Sequence, residues 1–310
     1  MSFLQAFGSY LPARVVGNGE IGAQVGSTAE WILAVSGIEE RRYAAAGEDV
    51  AAMGAAAARD CLASARIAPA ELGMLLVSSG SSERRFPGPA ADIANRLGLD
   101  SVPAIDLPLA SAGSLFGMAL AGRLAAFHGN ILVIASEKMS VVAQTPPLNP
   151  GVSILFGDGA GACLVSPAAG FARIVDSALF TDGAFSGDLR LPLAGPVEMN
   201  GRTVILQASR KIPRAIGGLL ERNGRAAADV PAFLMHQANQ NLIVRVAEAL
   251  GVAPEKFYSN IRRYGNTSSA SMLIAADEWR KANTLEKGAP LVFAGFGAGF
   301  HWGALLAEAS

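Results

Sequence analysis

The chain has 310 residues, 51% of them apolar and 16% charged, with a net charge of -1. That is material for one large α/β domain or two ordinary ones, and the scattered Lys and Arg residues make no basic face for nucleic acid. Mean hydropathy is +0.34, yet Gly, Asn, Ser or a charge interrupts every apolar run before the roughly 18 residues a membrane span needs. In chain order, the opening MSFLQAFGSYLPARVVGNGEI lacks a basic n-region, an apolar h-region and a cleavage site, so a soluble cytoplasmic protein is expected. Cys61 in an Ala-rich helical run and Cys163 in an apolar strand give neither a disulfide framework nor a metal spacing. A helix ending 94-ANRLGL-99 precedes strand 131-ILVIAS-136 and then 156-FGDGAGACLVS-166; a helix ending 247-AEALGV-252 precedes strand 290-PLVFAG-295 and then 295-GFGAGFHWGALL-306. The reading is an internal repeat of alternating strands and helices, each half closing on G-x-G-A-G, divided near 165-VSPAAGFARI-174 into units 1–166 and 167–310.

Three places carry candidate chemistry. In 104-AIDLPLASAGSLFGMALAG-122 a buried strand turns tightly into an amphipathic helix, with Ser111 at or just before its start. Unpaired N–H groups and the helix dipole favour an anion there, which suits a nucleophile or an oxyanion; an ordinary N-cap is the plain alternative. In 232-AFLMHQANQNLI-243 a strand runs into His236, with Gln237 and Asn239 at the start of the next helix. In 264-YGNTSSASM-272, Asn266 sits at another loop-to-helix junction with an amide to offer a reacting oxygen. Together with the Gly-rich turn 295-GFGAGF-300 they make the parts of an acyl-transfer site. Neither Gly-rich segment completes G-x-G-x-x-G or leads into a helix, and Leu109 stands where a serine-hydrolase elbow needs Gly, so dinucleotide binding and a hydrolase of another fold are set aside. His128 and His301 are expected to be structural.

The chain resembles the β-ketoacyl-[acyl-carrier-protein] synthase III family of condensing enzymes, in the thiolase superfamily, through ordered motifs along its whole length. These are 8-GSYLP-12, 28-TAEWILAVSGIEERR-42, 86-FPGPAADIANRLG-98, 106-DLPLASAG-113, 156-FGDGAGA-162, 199-MNGRTV-204, 236-HQAN-239, 264-YGNTS-268 and 295-GFGAGFHWGA-304. The resemblance implies a five-layered αβαβα thiolase fold with two similar halves, a homodimer, no cofactor, and acyl-coenzyme A or acyl-carrier-protein thioesters as substrates. It implies a Cys-His-Asn triad, of which His236 and Asn266 match two members while Ser111 occupies the cysteine position. It further implies an oxyanion hole from the N–H groups of Ser111 and Ala298, and substrate contacts from Trp31, Asn239 and Phe296. Phe86 matches the aromatic that the family places at the acyl pocket of the dimer partner.

Departures from the family pattern bear on the substrate. Val35 and Pro150 stand where the family has arginines near coenzyme A, and Asn241 replaces the arginine that meets the carrier protein. Arg210, Lys211, Arg214 and Arg245 are candidate substitutes for docking an acidic carrier. A serine nucleophile needs a general base, which His236 would supply if hydrogen-bonded to it, and an acyl-serine is a less activated electrophile than a thioester. Two readings follow: an acyltransferase that condenses with a malonyl unit or passes its acyl group to another acceptor, or a catalytically quiet subunit partnering an active paralogue. Retention of His236 and Asn266 favours the first.

Overall fold

A computed structural model describes all 310 residues. Ten strands carry the architecture: β1 (Phe3–Tyr10), β2 (Leu72–Ser78), β3 (Ala104–Leu107), β4 (Asn130–Lys138) and β5 (Asp158–Ser166) from the first half. The second half supplies β6 (Ala172–Thr181), β7 (Ala232–Met235), β8 (Phe257–Tyr258), β9 (Pro290–Gly297) and β10 (His301–Ala309). Six helices pack on them: α1 (Val50–Ala65), α2 (Pro89–Arg96), α3 (Gly113–His128), α4 (Gly201–Arg222), α5 (Gln240–Leu250) and α6 (Ser271–Ala282).

Each half runs β-α-β-α-β-α-β-β. The strand order is β3-β2-β4-β5-β1 in one half and β8-β7-β9-β10-β6 in the other, and the pairing directions are the same in both. The first three strands in each order are parallel, as helical crossovers require, and the last two joins are antiparallel. Strands β1 and β6 join the two sheets through the antiparallel pairs Phe3↔Arg173 and Leu4↔Ala172. The duplication is therefore real, but the two glycine motifs are not its equivalent parts. 157-GDGAG-161 opens β5, the last strand of its half, whereas 295-GFGAG-299 ends β9, the penultimate strand, and forms the turn after it. Close backbone packing produced similar glycines at different places.

The layers follow from what each helix touches. Helices α1 and α2 cover the outer face of the first sheet, α4 and α5 cover the outer face of the second, and α3 and α6 lie between the sheets. Five layers result, αβαβα. The amphipathic pattern expected for α3 is not what its position needs: sandwiched between two sheets, it buries Leu115, Gly117, Met118, Ala119, Ala121 and Ala125 around most of its circumference. Both middle helices point their N-termini at the same region, and the loops leaving the parallel strands converge there. No helix is long and apolar enough to cross a membrane.

Candidate active site

Ser111 lies between β3 and α3 and is not the N-cap of that helix. The cap is Ala112, with no side-chain cap bond, and Ser111 precedes it at φ 67°, in the left-handed region. The Ala112 N–H donates to the Ala110 carbonyl at 2.8 Å, closing a γ-turn around Ser111. A serine held with positive φ is uncommon, and such strained positions gather at functional sites. The turn is pressed from behind by Gly297 of β9: a Cβ added there would overlap the Ala110 carbonyl oxygen and meet Ala112 N at 2.7 Å. Glycine at 297 thus lets the two backbones touch.

His236 follows the last residue of β7, its N–H bonded to the Ala294 carbonyl at 2.9 Å. The side chain is buried, and burial pushes the imidazole down to about 4, partly offset by a hydrogen bond to the Ser268 backbone. It is neutral at pH 7. Nδ1 lies 2.6 Å from Ser271 Oγ, which also accepts the Gln237 N–H at 3.0 Å. Nε2 has no side-chain partner of hydrogen-bond geometry and is not sealed in protein; in the tautomer in which Ser271 donates to Nδ1, Nε2 carries the ring hydrogen. Asn266 is clamped through its backbone, donating to Leu155 O at 2.9 Å and accepting from Gly157 N at 3.1 Å. Gly265 permits this close pass, at φ 64° with its missing Cβ aimed at Leu155 O. The oxygen of the Asn266 amide is identified by the Ser268 N–H that donates to it at 2.8 Å, which leaves Nδ2 without a protein partner.

Ser111, His236 and Asn266 line one cavity of about 250 Å³. Its 21 lining residues include 15 hydrophobic ones, among them Phe156, Val204, Ile205, Ile212, Met235 and Phe296, and no charged side chain. Trp31 and Val35 stand at its wall on the helix Ala29–Ser36. Such a space suits an acyl chain with a few fixed polar groups at one end.

The remaining expected residues divide. Asn239 lines the cavity, but its amide is committed: Oδ1 accepts the N–H groups of Asn241 and Leu242 as the N-cap of α5, and Nδ2 donates to Val35 O at 2.9 Å. Ala298 shares a small adjoining pocket with Ser111 and Ser268. The Ser111 N–H, expected to be a free oxyanion donor, instead donates to Ser268 Oγ at 3.0 Å. Phe86 is absent from the cavity of its own chain; it is 86% exposed beside a second cleft that Ala298, Leu191 and Leu193 also line. Arg210, Lys211 and Arg214 surround a surface depression with Phe180 and Trp302, and Arg245 is not part of it. Lys211 is held there by Asp182 at 2.7 Å and by the Trp302 ring, with Nζ 4.1 Å from its centroid.

Two residues that the motifs did not single out complete the site. Ser268, at φ 47°, holds the Ser111 N–H, and its Oγ is 3.4 Å from Ser111 Oγ. No hydrogen bond joins Ser111 to His236, so the expected base pairing is replaced by a serine pair. Behind it lies Glu137, fully buried at the end of β4, whose carboxylate accepts from Gly80 N, Ser81 Oγ, Ser269 N and Ser269 Oγ. The signal for Ser268 was the repeat itself, since it precedes α6 by three residues as Ser111 precedes α3 by two.

Comparisons with known proteins bear on the family and the fold. The family model 3-Oxoacyl-[acyl-carrier-protein (ACP)] synthase III matches residues 105–183, and its C-terminal companion matches residues 220–309. The β-ketoacyl-[acyl-carrier-protein] synthase III of Oleidesulfovibrio alaskensis is 36% identical over 326 aligned residues, covering 98% of each chain. The crystal structure of 3-oxoacyl-[acyl-carrier-protein] synthase III from Aquifex aeolicus superposes with a TM-score of 0.95 at 31% identity, over 99% of this chain and 100% of that one. The priming β-ketosynthase of the R1128 polyketide pathway gives 0.91 at 32% identity, over 100% and 96%. With its thiolase fold and five layers, the chain belongs to the β-ketoacyl-[acyl-carrier-protein] synthase III family of condensing acyltransferases.

Proposed function

We propose that this protein takes an acyl group from a thioester of coenzyme A or of an acyl carrier protein onto Ser111. The acyl-serine then reacts with the carbon nucleophile left by decarboxylation of a malonyl thioester, or yields its acyl group to another acceptor. The observation that carries this reading is the convergence of Ser111, His236 and Asn266 on one uncharged apolar cavity, with His236 Nε2 and Asn266 Nδ2 both unspent. With the ring hydrogen on Nε2, the two side chains supply two N–H donors to the enolate that forms as carbon dioxide leaves, and they do so without changing charge. In this reading the Ala298 N–H, in the small pocket that Ser111 also lines, serves the other oxyanion, that of the tetrahedral adduct on Ser111. No step calls on a metal or organic cofactor.

The reading extends to the assembly. We take the chain to be a cytoplasmic homodimer divided at 166/167 into two duplicated units, in which Phe86 reaches the acyl cavity of the partner subunit. Arg210 and Arg214, with no acidic partner of their own, are the cations offered to an acidic carrier. The test is intact-mass spectrometry after incubation with a panel of acyl-coenzyme A and acyl-carrier-protein thioesters. An acyl adduct present on the native protein and absent from Ser111→Ala is expected, and malonyl carrier protein then separates condensation from transfer. Acylation of Ser111→Cys alone would overturn the serine as nucleophile.

A further inference from the structure

Arg41 is a guanidinium with no solvent exposure and no carboxylate bonded to it. Its partners are three neutral oxygens. Nη1 donates to Asn18 Oδ1 at 2.8 Å and to Val16 O at 3.4 Å, and Nη2 donates to Ile154 O at 2.6 Å. Nε has no partner. A buried cation without a counter-ion is unfavourable, and for packing alone an apolar side chain of the same size would serve better. What the guanidinium adds is a rigid fork that bonds in two directions at once.

Those two directions lead to different walls of the cavity. On one side, Asn18 donates to Ala29 O at 3.3 Å and to Ile38 O at 2.7 Å, which flank the helix Ala29–Ser36 that carries Trp31. On the other side, Ile154 begins the run Ile154, Leu155, Phe156, and all three line the cavity. Asn266 pairs with this run as one strand residue pairs with another: Phe156 lies opposite it, while Leu155 O and Gly157 N hold its backbone. The stem of Arg41 fills the notch beside that pairing. A Cβ added to Gly157 would lie 3.0 Å from Arg41 Cβ, and one added to Gly265 would lie 3.2 Å from it. Arg41 thus packs on the residue after Phe156 and on the residue before Asn266.

We propose, on the reading that Asn266 Nδ2 serves the enolate of the malonyl unit, that Arg41 is a positioning residue for the decarboxylation step. It does not line the cavity and touches no substrate. It fixes the run Ile154–Gly157 against the Trp31 side of the molecule, and that run fixes the Asn266 backbone. The amide has little freedom of its own, because the Ser268 N–H holds Oδ1 at 2.8 Å. The place of Nδ2 therefore follows the place of the backbone. A donor displaced by about an ångström from the oxygen it serves loses much of its effect on the rate.

The experiment follows release of carbon dioxide from malonyl-N-acetylcysteamine, in which the bond from the carboxylate to the α-carbon breaks and the enolate takes a proton from water. It is a double-mutant cycle on Arg41 and Asn266. Asn266→Ala is expected to slow release by about 100-fold, the usual worth of one oxyanion donor. Arg41→Met keeps the apolar stem, removes the unpaired charge and is expected to fold. It is expected to slow release by about tenfold or more when Asn266 is present, and by less than about twofold in the Asn266→Ala protein. Arg41→Lys keeps the charge without the fork, is expected to fall between the native protein and Arg41→Met, and takes the place of Arg41→Met in the cycle should that variant not fold. Equal losses in both backgrounds would make Arg41 a general support of the fold, and a native rate in Arg41→Met would remove it from the step. A native rate in Arg41→Lys would assign its effect to charge rather than placement; each of these results overturns the proposal. If Asn266→Ala releases carbon dioxide at the native rate, the reading of Asn266 as enolate donor fails and this proposal with it, whereas a loss there beside unchanged Arg41 variants leaves that reading standing.

Discussion

A hydroxyl is a poor nucleophile unless its surroundings take its proton, so the neighbours of Ser111 decide what it does. His236 makes no hydrogen bond to it. Its folded value near 4 lies below the ordinary 6.5, so the unfolded chain binds the extra proton between those limits, and stability falls as the pH drops through that window. Between pH 7 and pH 5 the cost is about 2 kcal/mol from this residue alone. His236→Asn keeps a polar atom toward Ser271 and is expected to lessen the acid dependence of urea unfolding by about that amount; an unchanged pH dependence would mean the imidazole is not buried neutral. A neutral Nε2–H also predicts that malonyl decarboxylation shows no rate inflection near pH 6.5. Ser111, His236 and Asn266 were legible because each ends a strand or precedes a helix in a distinctive string. Ser268 stood in the same quoted string as Asn266 yet reads as one small polar residue among four, and Glu137 as an ordinary strand-end charge. What makes them matter is the meeting of β4 with the start of α6, which lie about 130 residues apart in sequence.

At the scale of elements, the site depends on where strands end and on what fixes the pieces around the cavity. Asn239 caps α5 and binds Val35 O, so one amide ties that helix to the segment Ala29–Ser36 that carries Trp31. Asn241 reinforces the tie by donating to Ala34 O and Val35 O. Loss of an N-cap costs about 1 kcal/mol. Asn239→Ala is therefore expected to lower the melting temperature by a few degrees and, by loosening the Trp31 wall, to raise KM for the thioester more than it lowers kcat. A selective fall in kcat would return Asn239 to direct contact with the reacting atoms. Gly297→Ala tests the other side of the site. Its methyl group would enter the Ala110–Ala112 backbone, so the γ-turn must shift, and acylation is expected to drop by at least tenfold while β9 remains in the sheet. The amphipathic expectation for α3 failed here for a physical reason: between two sheets most of the helix is buried, and its narrow exposed stripe, Leu120, Arg123 and Phe127, is apolar but for one charge, so no polar face opposes the packed one.

The whole molecule presents an open sheet edge at β3, and that edge is where we expect the proposed homodimer to form. Strand β3 is only four residues long, pairs with β2 on one side and has no strand on the other, and Ile105 is 44% exposed on it. Beside it lie Phe86 and Leu193, exposed by 86% and 77%, with Leu191 in the same cleft. A free strand edge flanked by large apolar side chains is a liability for a monomer and a ready isologous contact for a pair related by a two-fold axis. Light scattering in solution is expected to give twice the 31.8 kDa chain mass. Ile105→Lys puts a charge on the edge and is expected to yield monomers. Phe86→Ala removes a ring without breaking the edge and is expected to keep the dimer while shifting the preferred acyl length in the mass assay, since a ring reaching the partner's cavity sets its depth. The two outcomes separate assembly from selectivity: a native protein that runs as a monomer leaves Phe86 no second cavity to enter, whereas a dimer indifferent to Phe86→Ala would reduce that ring to interface packing.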